Sequence, residues 1–289
     1  MKILYVAVVM MMVACKSAPT RTSETPQKAW ASRIEELAKK PLKLTDDTVV
    51  LDARENFDYG LAHWSSSIQF SWTTFVEDMR KPWILVSPRS ATQKLALLGI
   101  EPKTPVIVIG KGLKGGGDEG RLAWTLLYFG IDEVQTVSVD GLDVYFTHQE
   151  TPARRNAPMW DPRVRTELVL DKNQFLNAAM SARQTKEGAV HILDVRSKAE
   201  YFGKNGQTPD LQAMNVEWKE FFGADGRPAK AIRKKLNAVG VKQDDHVILI
   251  SNHGVRSSAA SYALIALGFK HVSNFLGGWD SLVVDKSNK

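Results

Sequence analysis

The segment "VILISNHGVRSSAASYALIALGF", Val247 to Phe269, reads as an apolar strand, a short polar loop and a helix opened by small residues. Its chemistry-bearing residues are Ser251, where the chain leaves the strand, followed by Asn252, His253, Gly254, Val255, Arg256 and Ser257. Backbone N–H groups that curl around a point at a helix N-terminus form a cradle for an anion. Gly254 can take backbone angles closed to other residues, and Arg256 can add positive charge or brace the loop. A serine hydroxyl is a weak nucleophile unless a base stands beside it. His253 is the neighbour that could serve, but in a curled loop its side chain is expected to point to solvent, and no G-x-S-x-G turn surrounds Ser251. The loop reads as an anion holder before it reads as a hydrolase.

Other candidates have plainer readings. Asp52 with Arg54 and Asp194 with Arg196 stand at the ends of two apolar strands, where such pairs brace neighbouring loops through hydrogen bonds. The glycines of "KGLKGGGDEGR", Lys111 to Arg121, lack the Gly-Lys-Ser/Thr ending that grips a nucleotide phosphate and read as a flexible surface loop. His63, His148, His191, His246, His253 and His271 show no metal-binding spacing on any one element, so no metal and no other cofactor is expected. Trp160, Trp218 and Trp279 are spread over linker, loop and terminal turn, which suits domain packing.

The elements that must position these residues occur twice, offset by about 140 positions. "VVLDARENFDYG" parallels "HILDVRSKAEYFG", and "PVIVIGKG" with the helical "EGRLAWTLLYFG" parallels "HVILISNHGVRSSAASYALIALGF". Strands alternating with helical stretches predict α/β architecture, with parallel strands joined by crossover helices in each half. Pro152, Pro158 and Pro162 interrupt the join. Domains are expected over 41–148 and 164–289, with a linker over 149–163. The chain has 289 residues and a net charge of +6, its basic residues scattered among acids, so nucleic acid is not an expected partner.

The N-terminus carries Lys2, then an apolar run from Ile3 to Ala14 that is too short to span a bilayer. It reads as an export signal over 1–14. "MVAC", Met12 to Cys15, resembles the lipobox of bacterial lipoproteins, with Met12 where Leu is usual. The resemblance implies lipid on Cys15, with a flexible tether over 15–40. It also implies an envelope location, at the outer membrane and facing the periplasm, since Lys16 rather than Asp follows the Cys. The membrane would be met through the lipid anchor only. Cys15 is the only cysteine, so a chain acylated there keeps no thiol and no disulfide.

The repeat resembles the tandem rhodanese family, the thiosulfate and mercaptopyruvate sulfurtransferases, through "LDVRSKAEYFG", "NVEWKEFFGADGRP", "HVILISNHGVRS" and "LGGWDSL" in the second half. In the first half "LDAR", "IQFSWTTFV" and "DEGRLAWTLLYFG" carry the likeness. It implies two rhodanese-like domains, each a small parallel sheet flanked by helices, with the active loop in the second. In the family that loop runs Cys-x-x-Gly-x-Arg, and its Cys carries sulfur as a persulfide. Here Ser251 stands in the place of the Cys, so the likeness implies a pseudoenzyme. Such a protein would keep an anion-binding loop for small sulfur oxyanions or an envelope protein partner. An active sulfurtransferase working by another mechanism and an envelope interaction module remain as alternatives. The related phosphatase loop also needs a Cys and is one residue longer. "KNGQTPDLQAM" lacks the family's Gly-His-Ile-Pro-Gly-Ala run, which leaves the shape of the substrate mouth open.

Overall fold

The computed structural model describes residues 26–65, 67–142, 146–147, 156–184, 190–203 and 211–284. The expected export signal, Cys15 and the first part of the expected tether lie outside the described residues. The elements are α1 (Pro26–Lys39), β1 (Val49–Asp52), α2 (Asn56–Leu61), β2 (His63–Trp64), β3 (Ser67–Gln69), α3 (Pro88–Leu97), β4 (Val106–Gly110), α4 (Asp118–Tyr128), β5 (Val134–Ser138) and β6 (Phe146–Thr147). They continue with β7 (Val169–Leu170), α5 (Lys172–Gln184), β8 (Val190–Asp194), α6 (Lys198–Phe202), β9 (Met214–Asn215), α7 (Ala231–Ala238), β10 (His246–Ile250), α8 (Val255–Ala266), β11 (His271–Phe275) and α9 (Gly278–Val284).

Two parallel sheets result, in the orders β3-β1-β4-β5 and β7-β11-β10-β8-β9, with helices packed around them. The sequence repeat reappears as topology. β1 lies between β3 and β4 as β8 lies between β9 and β10, with Leu51 opposite Val108 and Leu193 opposite Leu249. Central strands such as Val106–Gly110 are apolar along their whole length because both faces are covered.

The halves share one hydrophobic core, continuous from Leu51, Phe75 and Trp124 to Trp218, Val247 and Tyr262. Helices α4 and α8 meet at its centre. A Cβ on Gly120 would stand 2.5 Å from that of Ala259, so glycine facing alanine is what allows this approach. The contact is sealed by Tyr262, whose hydroxyl donates to the Val134 carbonyl at 3.1 Å, and by Thr136, whose hydroxyl donates to that of Gly226 at 2.9 Å.

One expectation is corrected. The tether expected over residues 15–40 does not extend through Pro26–Lys39, because these residues form α1. The spacing of Trp30, Ile34 and Ala38 gives it an apolar stripe, and Ile34 is fully buried in the shared core. Arg33 pairs with Glu133 of one half (2.9 Å) and Glu35 with Arg233 of the other (3.3 Å), so α1 straps both together.

Candidate functional site

The site is built at the C-terminal ends of β8 and β10, where open parallel sheets gather ligands. Asp194 ends β8 fully buried. It is turned into a fixed acceptor by Arg196, which donates its backbone N–H at 3.0 Å, Nε at 3.0 Å and Nη2 at 2.7 Å. The indole N–H of Trp279 adds a further bond to Asp194 at 3.0 Å, and the Arg196 guanidinium lies 4.8 Å from the Trp279 ring centre. The first half repeats the device, with Arg54 donating to Asp52 through N, Nε and Nη2 at 3.1, 2.9 and 2.7 Å.

Ser251 follows β10 and is 1% exposed. Its Oγ donates to Ser257 Oγ at 3.1 Å and accepts the Ser257 backbone N–H at 3.3 Å, which occupies one of the orphan donors of the α8 N-terminus. Gly254 is the left-handed residue at the head of α8, with φ of 86°. A Cβ there would also stand 2.4 Å from the Leu276 carbonyl oxygen, so glycine is required twice over. The far wall of the loop is the turn into α9, where the Trp279 and Asp280 N–H groups donate to the Ser251 and Asn252 carbonyls at 2.9 and 3.0 Å.

The predicted loop residues come together, but their charges are already answered. Arg256 donates Nη1 and Nη2 to the two carboxylate oxygens of Glu200, each at 2.7 Å. Asn252 donates to Glu200 at 3.1 Å and accepts from Arg196 at 3.5 Å. The bonds from Arg256, with those from Ser197, hold the Glu200 carboxyl well below the usual carboxylate range. His253 is exposed, its Nδ1 3.4 Å from Asp280, while the Ser251 hydroxyl is engaged with Ser257. The two do not form a nucleophile–base pair.

Three contributors escape a reading of the loop alone. Glu200 sits in "SKAE", Ser197 to Glu200, a capping box whose local bonds give a sequence signal for the helix but none for the partnership with Arg256. Asp280, from the terminal turn, faces His253. Arg121, in the first half, reaches the loop helix by donating to Ser258 Oγ at 2.7 Å. Among the described residues no cluster of three His, Cys, Asp or Glu could hold a metal.

The glycine-rich loop of the first half occupies the matching place after β4. Gly117, with φ of 93°, heads α4 as Gly254 heads α8, and Gly117 packs against Trp218 of the other half. Its first helical turn carries Asp118 and Glu119. Glu119 is 3% exposed, and desolvation pushes its carboxyl up to about 7.

Residues 177–284 match the family described as Rhodanese-like domain. The chain is similar to the sulfur carrier protein TtuD of Thermus thermophilus, 29% identical over 111 residues, which are 33% of this chain and 39% of that protein. It is similar also to the thiosulfate sulfurtransferase YnjE of Escherichia coli, 25% identical over 228 residues, 71% of this chain and 51% of that one. The chain thus spans about half or less of the length of these two relatives. Among solved structures, YnjE superposes with a TM-score of 0.67 at 20% identity, covering 91% of this chain and 66% of that one. The anaerobic ergothioneine biosynthesis enzyme from Chlorobium limicola is also similar in fold, with a TM-score of 0.69 at 19% identity over 90% of this chain and 68% of that one.

Proposed function

Starting from a rhodanese-like domain over residues 177–284, we propose that this chain is an exported, lipid-anchored tandem rhodanese-like protein of the sulfurtransferase family. In this reading it does not form a persulfide and uses its loop to bind small sulfur oxyanions. The observation that carries this reading is Ser251 at the head of the loop. Its oxygen cannot carry a persulfide, and its hydroxyl is tied to Ser257 instead of to a base. The left-handed Gly254 and the N-terminus of α8 behind it remain an anion cradle in form. Cys15, if acylated, leaves no thiol to substitute.

Thermal unfolding of the protein in thiosulfate against chloride of equal ionic strength tests the binding. A ligand held only by the folded state raises stability with its concentration, and an unchanged unfolding temperature contradicts the reading. Lipid attachment is tested separately, by incorporation of labelled palmitate that disappears in Cys15→Ser.

One observation favours a second reading, an envelope interaction module. The Glu200 carboxylate already neutralises Arg256, as a partner anion would. Stability indifferent to every small anion, with a binding partner retained on the loop face, is the outcome that selects it.

A further inference from the structure

The two arginines beside the loop are paired where they stand, Arg256 with Glu200 and Arg196 with Asp194. One nearby cation is different. Arg121 on α4 is fully buried in the seam between the halves, and among the described residues no carboxylate pairs with it. Its Nη1 donates to Ser258 Oγ at 2.7 Å and its Nη2 to the Pro82 carbonyl at 3.2 Å, while its Nε has no hydrogen-bond partner. The faces of Trp72 and Trp124 flank it, with ring centres 5.4 and 5.3 Å away. Ser258 Oγ accepts a second bond from Asn274 at 2.7 Å and donates to the Gly254 carbonyl at 2.6 Å. The guanidinium therefore stands two hydrogen bonds from the residue on which the loop pivots.

We propose that Arg121, contributed by the N-terminal half, is the source of the positive field that holds an anion at the Ser251–Arg256 loop of the C-terminal half. The inference rests on the anion-binding reading above. A charge in the dry seam is screened far less than one facing water, so it acts over the length of one helical turn. Burial pulls the Arg121 guanidinium down to about 9, which leaves it charged at neutral pH. Its positive end adds to the dipole of α8, whose N-terminus points at the same place. Arg121 is a positioning residue in this account, since it touches α8 and not the ligand, and it makes the first half necessary to the second.

The test reads the field without any ligand. In full-length Ser251→Cys, the new thiol titrates as the thiolate absorbance in excess of the Ser251 protein, a difference that removes Cys15. We expect a pKa below the ordinary thiol value of about 8.5, raised by about one unit, tenfold in proton affinity, when Arg121→Met is added. Arg121→Lys, which keeps the charge, retains most of the depression. An unchanged pKa in folded Arg121→Met overturns the proposal. Should Arg121→Met not fold, the paired removal Glu200→Gln with Arg256→Gln decides. A rise of one unit there makes Arg256 the source and overturns it, and a shift under about 0.3 units supports it. Because no anion is bound in this titration, failure of thiosulfate to stabilise the Ser251 protein would end the proposed ligand reading separately from the role of Arg121.

Discussion

Glu200 and Arg256 face one another across the mouth of the loop through two 2.7 Å hydrogen bonds, so the arginine that a reading of the loop assigns to an incoming anion already holds a carboxylate. The pair is partly exposed and is a brace that competes with any ligand anion. Glu200→Gln frees the guanidinium, and thiosulfate should then stabilise the variant more than it stabilises the parent. Thermal unfolding across a thiosulfate series checks this, and an equal or smaller shift in the variant contradicts it.

The same pair has a pH signature. The folded-state pKa of Glu200 lies below its ordinary value of 4.5, so its contribution is fully present above that pH and is lost as pH falls through the folded value. Solvent reaches about a third of the side chain, which weakens the effect. The expected result is that the parent's stability advantage over Glu200→Gln shrinks between pH 5 and pH 2, read by urea unfolding.

Glu119 has the opposite sign. Its folded-state pKa is raised from 4.5 to about 7 by burial, so stability falls as pH rises from about 4.5 to 7 and levels off above. The loss is on the order of 3 kcal/mol. Glu119→Gln removes this slope, and urea unfolding at pH 5 and pH 8 should show the variant gaining on the parent at the higher pH. Parallel changes in both proteins would show that the carboxyl does not ionise in this range.

The seam between the halves gives a mutational prediction free of charge. Gly120→Ala places a methyl 2.5 Å from that of Ala259, and the helices must part to admit it. A loss of about 2 kcal/mol is expected, as for other overpacked cores. Chemical denaturation measures it, and an unaltered midpoint would mean that α4 and α8 are free to shift.

Legibility in the sequence followed distance along the chain. The Asp-x-Arg strand ends were readable because Asp52 with Arg54 and Asp194 with Arg196 are two residues apart, and the repeat made the parallel sheets readable from their connections. The strap α1 was hidden by its neighbourhood, since Trp30, Ile34 and Ala38 follow a stretch rich in Ser, Thr and Pro that reads as tether. The partner of Arg256 is 56 residues away and that of Arg121 is 137 away, and no local pattern encodes either meeting. Residue types told which groups could do chemistry; only the packing of α4 on α8 told which of them remained uncompensated.

The most direct measurement is sulfur transfer from thiosulfate to cyanide by the parent protein beside Ser251→Cys. The account predicts a silent parent and a variant that transfers sulfur, because Ser251 has no sulfur to carry a persulfide and a cysteine in its place, before the left-handed Gly254 and the N-terminus of α8, does. Transfer by the parent, abolished in Ser251→Ala, would contradict it.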